Sequence, residues 1–213
     1  MLPLRDSTPS NTFPLITVGL IIVNIAVFLY MLILPERALD SFIAQYALIP
    51  REMSFRSIIT SQFLHAGFLH IIGNMLFLHI FGDNLEDRLG HLKFLLFYLL
   101  CGIAAGLMQV FINPDSIIPV LGASGAIAGV MGGYLILFPH SRIDMLVFLG
   151  FFITTVRIPA ALMLLYWAGL QLLYGTGSIG TDSGGVAYFA HIGGFIAGLL
   201  IVALVPKRRY YSG

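Results

Sequence analysis

The sequence predicts an all-α polytopic membrane protein. Three observations lead there. Of its 213 residues, 58% are hydrophobic and only 10% are charged, whereas a soluble domain carries about a quarter charged residues. Mean hydropathy is +0.94. Uncharged apolar stretches recur along the chain, bounded by charged or turn-forming residues, and roughly 20 apolar residues cross the hydrocarbon core as a helix. The same composition excludes other classes. Disorder requires low hydrophobicity and high charge. A net charge of +1 lacks the basic surplus of a nucleic-acid binder, so no nucleic-acid partner is expected. A single cysteine, Cys101, excludes a disulfide framework and a thiolate metal cluster.

The whole chain, 1–213, reads as one membrane domain with six spans. The first covers about 14–34 and has no charge; no small-residue cleavage site follows it, so it is a retained span and not a signal peptide. The semi-polar stretch 35–61 is long for a connection and predicts a structured loop. The second span covers about 68–81 and carries His70, Asn74 and His79. Spans three and four cover about 92–112 and 124–138, the latter ending before Pro139. The apolar stretch 143–156 is too short to cross and predicts an interfacial or re-entrant segment. Spans five and six cover about 159–174 and 187–205, separated by the Gly/Ser/Thr-rich loop Gly175 to Gly185.

This count puts both termini on one side. That side would hold Arg5, Arg88, Lys93, Arg142, Arg157, Lys207, Arg208 and Arg209, against Arg37, Arg51 and Arg56 on the other. The positive-inside rule then makes both termini cytoplasmic, and a plasma or inner cell membrane is the expected location. Glycines fall four apart, Gly102 with Gly106, Gly125 with Gly129 and Gly133, Gly194 with Gly198. That spacing lets helix backbones approach closely.

Polar residues at membrane depth are costly and mark cavities or partners. Ser124 lies in Gly122–Ala123–Ser124–Gly125 at the start of span four. It reads either as an N-cap or as a nucleophile beside unsatisfied helix N–H groups able to hold an oxyanion. His191, in Ala190–His191–Ile192–Gly193–Gly194, reads as an interhelical hydrogen bonder or a base. Gly194 and Gly198 would bring its helix against the Gly125–Gly129 face and within reach of Ser124, where neutral imidazole could accept the hydroxyl proton. No acidic residue lies beside either, so a dyad is expected. His70 and Asn74 are four apart and share a helix face; they read as a structural network or as oxyanion donors. His65 and His70 are five apart and no HExxH occurs, which argues against a metal site. The segment Gly82 to Gly90 reads as a structural loop. Two buried aspartates, needed by an aspartyl protease, are missing from the spans. Asn24, Gln109 and Gln171 are candidate interhelical hydrogen bonders, and Trp167 lies mid-helix in span five.

Together these pieces resemble the rhomboid family of intramembrane serine proteases, in its minimal six-span prokaryotic form. The resemblance rests on His65–x4–His70–x3–Asn74, on Gly82 through Leu85–Glu86 to Gly90, on Gly122–x–Ser124–Gly125–Ala126 and on Ala190–His191–x–Gly193–Gly194–x3–Gly198, in that order. It implies a rhomboid-like bundle of six transmembrane helices with a water-accessible cavity. Ser124 would be the nucleophile and His191 the general base and acid. His70, Asn74 and the Ser124 backbone N–H would form the oxyanion hole. Gly122 would shape the turn before the nucleophile, His65 would be supportive, and Glu86 would organise a cytoplasmic loop. Substrates would be single-span membrane proteins met within the lipid bilayer, with no metal or cofactor. Two positions depart from better-known members. No Trp-Arg pair occurs in the first loop, where Phe55–Arg56 comes nearest, and Ala128 stands where many members carry an aromatic that stacks on the histidine. A non-catalytic relative that holds transmembrane clients is the rival reading. A transporter is disfavoured by the absence of paired half-size repeats. The loop Gly175 to Gly185 is expected to cap the cavity, with span five moving to admit substrate.

Overall fold

The computed structural model describes residues 2–150, 152–178 and 185–205. Most of the expected cap, 179–184, and the Lys207–Arg208–Arg209 cluster lie outside them. In chain order the elements are β1 (Leu2–Asp6), α1 (Leu15–Ile33), α2 (Glu36–Tyr46), α3 (Phe55–Thr60), α4 (Phe68–Leu89), α5 (His91–Ile112), α6 (Ser124–Leu137), β2 (Arg142–Leu149), β3 (Phe152–Pro159), α7 (Ala160–Gly177) and α8 (Tyr188–Ala203). The protein is thus a mainly helical bundle of apolar helices. Of these, α1 and α5 are long and apolar enough to cross a membrane as single helices, and α6 and α8 are shorter apolar helices.

Five of the expected segments match α1, α5, α6, α7 and α8 to within three residues at each end. Three expectations need correction. The second span does not stop at 81. It runs to Leu89, so Gly82 to Leu89 is the last two turns of α4 and not a loop. The stretch 35–61 is α2, a 3-10 turn at Pro50–Glu52 and α3, tied down by Arg56, which sits over the Tyr46 ring at 5.3 Å and donates to the Gln45 carbonyl at 3.2 Å. The stretch 143–156, expected to be interfacial or re-entrant, is not a re-entrant segment. It forms a β-hairpin, and β1 pairs antiparallel with β2 to complete a three-stranded sheet. The signal was a period of two: Ile143, Met145 and Val147 are buried, on one face of the strand. On the other face Asp144 binds Arg157 at 2.7 Å and Arg5 at 2.9 Å. Those hydrogen bonds, Arg157 first, hold the Asp144 carboxyl well below its usual range, at about 2. This clasp is therefore complete above the ordinary carboxylate range and is lost as pH falls through about 2.

Glu86 also departs from its expected role. It is fully buried within α4, and it organises a helix terminus, not a loop. Helix α1 begins after Pro14 with no side-chain cap of its own, which leaves its first N–H groups in need of acceptors. The Glu86 carboxylate supplies them. It accepts from the Ile16 N–H at 2.8 Å, the Thr17 N–H at 2.7 Å and the Thr17 hydroxyl at 2.7 Å. It also meets His91 Nδ1 at 2.5 Å. A negative charge at a helix N-terminus is favoured, so one side chain joins α1, α4 and α5. Glu86→Ala is expected to lower the unfolding free energy by about 3 kcal/mol. Unfolding in mixed micelles measures this, and an unchanged midpoint would refute it.

The closest packing is between α6 and α8. A Cβ built on Gly194 would stand 1.9 Å from the Gly125 carbonyl oxygen, and one on Gly198 would stand 1.9 Å from that of Gly129. No side chain fits at either position. The expected glycine-to-glycine approach is therefore present, pairing Gly194 with Gly125 and Gly198 with Gly129. Gln109 on α5 accepts from the Ala190 N–H at 3.2 Å, in the first turn of α8. Asn24 donates to the Leu20 carbonyl of its own helix at 2.8 Å and also faces the Tyr98 hydroxyl of α5.

The two ends of the bundle differ. At one end the connection from α5 to α6 and the residues before α8 surround a large cavity. At the other lie the sheet and the tight tie between Tyr134, Asp6 and Ser141. Thr8 and Pro9 share a small pocket there with Val202 and Ala203 near the end of α8. The residues after β1 and the end of α8 thus meet at the end away from the cavity.

Candidate active site

The cavity occupies about 1180 Å³, and its lining includes His70, Asn74, Gly122, Ser124, Trp167 and His191. Four elements supply these residues, and each is placed by a local feature of the chain. Helix α6 starts with Ser124, its N-cap position being Ala123 without a side-chain cap bond. Ser124 is therefore not a cap. Its hydroxyl is free to bond elsewhere, and the N–H groups of its own turn lack acceptors within the helix.

Gly122 adopts φ +127, in the region that favours glycine. Its N–H donates to the Ser61 carbonyl at 2.9 Å, which fixes the chain just before the serine. A Cβ at Gly122 would stand 2.7 Å from His70 Nε2. The missing side chain therefore does two things: it permits the turn, and it lets the imidazole come up to the backbone beside Ser124.

His191 lies in the first turns of α8 and is buried. Because α8 sits directly on the glycines of α6, its Nε2 comes to 2.8 Å from Ser124 Oγ. Its Nδ1 lies 2.8 Å from Gln171 Oε1 on α7. An amide oxygen can only accept, so Nδ1 carries the ring proton and Nε2 is the bare nitrogen. That is the nitrogen facing the hydroxyl. Such an imidazole can take the hydroxyl proton and leave the oxygen nucleophilic.

His70 and Asn74 sit together on α4 across the cavity. The Ala66 N–H donates to His70 Nδ1 at 3.4 Å, which leaves the His70 proton on Nε2, toward Gly122. Asn74 Nδ2 is buried with no hydrogen-bond partner, and it lies 3.6 Å from the point where a Gly122 Cβ would stand. Two donors thus converge beside Gly122, two residues before Ser124, and an anionic oxygen there would satisfy them. His65 is buried and packs edge-on against His70 with ring centroids 5.1 Å apart. Of the expected site residues, Ser124, His191, His70, Asn74 and Gly122 line this cavity and His65 packs against His70; Glu86 lies in the α1 junction described above.

Two residues that contact His191 had not been assigned to the site from sequence. Trp167 packs on the His191 ring at 5.8 Å between centroids, where Ala128 offers no aromatic. Gln171 reaches the imidazole itself. Both come from α7; Gln171 forms the interhelical hydrogen bond expected of it, and its spacing of four from Trp167 puts the two on one helix face.

Comparison with known proteins shows the family to which the chain is related. The Rhomboid domain family matches residues 52–208. Rhomboid protein 1, mitochondrial, of Saccharomyces cerevisiae is 32% identical over 79% of this chain and 49% of its own length. Rhomboid-like protein 11, chloroplastic, of Arabidopsis thaliana is 31% identical over 70% of the chain and 52% of its own length. Rhomboid-like protease 3 of Toxoplasma gondii is 27% identical over 81% of the chain and 60% of its own length. The chain thus spans about half the length of these curated relatives. With the match covering most of the chain, this membrane protein belongs to the rhomboid family.

Proposed function

We propose that this protein is an intramembrane serine endopeptidase that cleaves single-span membrane proteins within the lipid bilayer. The observation that carries this reading is the 2.8 Å contact between Ser124 Oγ and His191 Nε2 at a large cavity. His191 takes the Ser124 proton as Oγ attacks a substrate carbonyl carbon. The resulting oxyanion is held by His70 Nε2–H, the Asn74 amide and the Ser124 backbone N–H. The tetrahedral intermediate collapses to an acyl-enzyme as His191 returns the proton to the leaving amine. Water from the cavity then hydrolyses the ester, with His191 again as base. A spanning helix hides its carbonyls in its own hydrogen bonds, so substrates must unwind locally, which favours sites near a helix end with small or helix-breaking residues.

The family includes inactive members as well as proteases. A non-catalytic binder of transmembrane clients has no use for a hydroxyl on a bare imidazole nitrogen, and both groups are present and in contact here. The test is reconstitution of the purified protein in liposomes with a single-span substrate. Two new termini, mapped by mass spectrometry and absent with Ser124→Ala, support proteolysis. Binding without cleavage supports the rival. The excess of cations on the side of the termini favours an orientation with both termini cytoplasmic, and the location we propose is a cell membrane.

Entry of such a substrate requires an opening in the bundle, and α7 is the outer helix whose Leu162, Leu165, Tyr166 and Leu172 are exposed. A Cβ on Gly175 would stand 3.2 Å from Tyr188 Cβ, near the separation a disulfide requires. The pair Gly175→Cys and Tyr188→Cys is therefore expected to pin α7 to α8 when oxidised. Cleavage of a single-span substrate should fall at least about tenfold on oxidation and return on reduction, because closure gates entry. Equal rates in both states would show that α7 does not move.

A further inference from the structure

We propose that Gln171 is a positioning residue for His191, and that α7, the outer helix, thereby supplies a third member of the catalytic array. The proposal rests on the serine-protease reading above.

A general base must present the correct tautomer in the correct orientation. With Nδ1 unpartnered, neutral imidazole places its proton on either nitrogen, and the tautomer with Nε2–H cannot accept from Ser124. Among the described residues no carboxylate contacts His191. The described groups close to it are neutral or basic: Ser124 on α6, Trp167 on α7, and His70 on α4, which acts on it electrostatically. Among the described residues the acidic group in the cavity lining is Asp115, in the connection before α6. Gln171 Oε1 at 2.8 Å from Nδ1 makes the selection instead. It accepts the Nδ1 proton, leaves Nε2 bare, and opposes the proton that Nε2 gains during attack with a partial negative charge on the far side of the ring. Trp167 restricts rotation of the ring: it packs on His191 and also on Phe195, 6.0 Å away on α8.

This arrangement has a consequence for substrate entry. Gln171 and Trp167 lie one helical turn apart on the helix whose other face is exposed. Outward movement of α7 withdraws both from His191, so the dyad is set only when α7 is seated. Opening and reaction become separate states of one helix. A neutral amide also suits this position: a carboxylate carried on a moving helix would be left charged and unpaired in hydrocarbon.

The test uses the full chain in liposomes, with a single-span substrate and a fluorophosphonate probe, comparing wild type, Gln171→Leu and Gln171→Glu. Gln171→Leu should reduce kcat about 10- to 100-fold with KM within about twofold, and should slow probe labelling of Ser124 by a similar factor. Gln171→Glu should keep the acceptor. Its carboxylate would favour the imidazolium and move the acid limb of the kcat profile up by about one pH unit, with kcat recovered above that limb. A role for Gln171 in packing alone would not move the limb. Gln171→Leu with wild-type kcat and labelling, or Gln171→Glu with an unmoved acid limb, overturns the proposal while leaving the protease reading intact. The Gln171→Glu arm stands alone if Gln171→Leu does not fold. A wild-type protein that neither labels at Ser124 nor cleaves overturns both.

Discussion

Replacing Ser124 with Ala is expected to abolish covalent labelling by a fluorophosphonate and to reduce kcat by about 10⁶-fold. The size follows from serine proteases, where nucleophile and base act as one unit and loss of either costs nearly as much as loss of both. His191→Ala should therefore be almost as severe, and the double variant little worse than either single one. The oxyanion donors behave differently, because each contributes one hydrogen bond to an intermediate that can still form. His70→Ala and Asn74→Ala are each expected to cost about 10²- to 10³-fold in kcat. Asn74 is the cleaner of the two, since its Nδ2 has no partner to lose, whereas removing His70 also frees the ring of His65. Gel fluorescence of purified protein measures labelling and a single-span substrate measures kcat. Equal labelling of wild type and Ser124→Ala would place the nucleophile elsewhere.

The second large effect is expected from a residue that touches no substrate. Gly194→Ala inserts a Cβ where the Gly125 carbonyl oxygen is 1.9 Å away, a distance that atoms cannot share. Because that oxygen belongs to a helix backbone, it cannot rotate aside as a side-chain tip would. Helix α8 must lift from α6 by an ångström or more. Gly125 directly follows Ser124, and Gly194 lies three residues after His191, so the separation appears almost undiminished in the distance between Oγ and Nε2. A displacement of about 1 Å in reacting groups can cost roughly 100-fold in rate, and the lost helix contact should add about 1–3 kcal/mol of destabilisation. Gly169→Ala on α7 is the control, because a Cβ there meets nothing within 4 Å. The outcome that would count against this account is a Gly194→Ala protein with full activity and an unshifted unfolding midpoint.

Much of the fold was legible because the bilayer imposes a simple rule. Apolar length reports a helix, and the ends of α1, α5 and α6 follow from where apolar residues stop. The rule failed where its premise did. The end of α4 contains Asp83, Glu86, Asp87 and Arg88, and counting charges makes it a loop. It is helical because its carboxylates have partners: Glu86 accepts the N–H groups of α1, Asp83 accepts from Asn84 and Asp87 from Thr12 and Asn11. The hairpin of β2 and β3 was missed for a related reason. Apolar content does not distinguish strand from helix over a short run, and the alternation of Ile143, Met145 and Val147 carries meaning only once β1 is known to pair alongside.

The site divides in the same way. Ser124, His191, His70, Asn74, His65 and Gly122 could be nominated from the chain alone, because a hydroxyl, imidazoles and an amide at membrane depth are costly and few. The spacing of Gly194 and Gly198 even indicated which helix faces meet. Sequence also determined the class of molecule: with 10% charged residues the chain cannot cover a water-facing surface. The hydrogen-bonded partners were a matter for tertiary structure. Gln171 could be nominated only as an interhelical hydrogen bonder, and its partner His191 is identified only when α7 is laid against α8; the partners of Glu86 are identified only when α1 is brought to it. Such contacts join residues distant along the chain, such as Ile16 to Glu86 and Gln171 to His191, and no local periodicity encodes them. They are settled by the few ways in which buried donors and acceptors can all be satisfied at once, and only the assembled bundle shows which of those ways is taken.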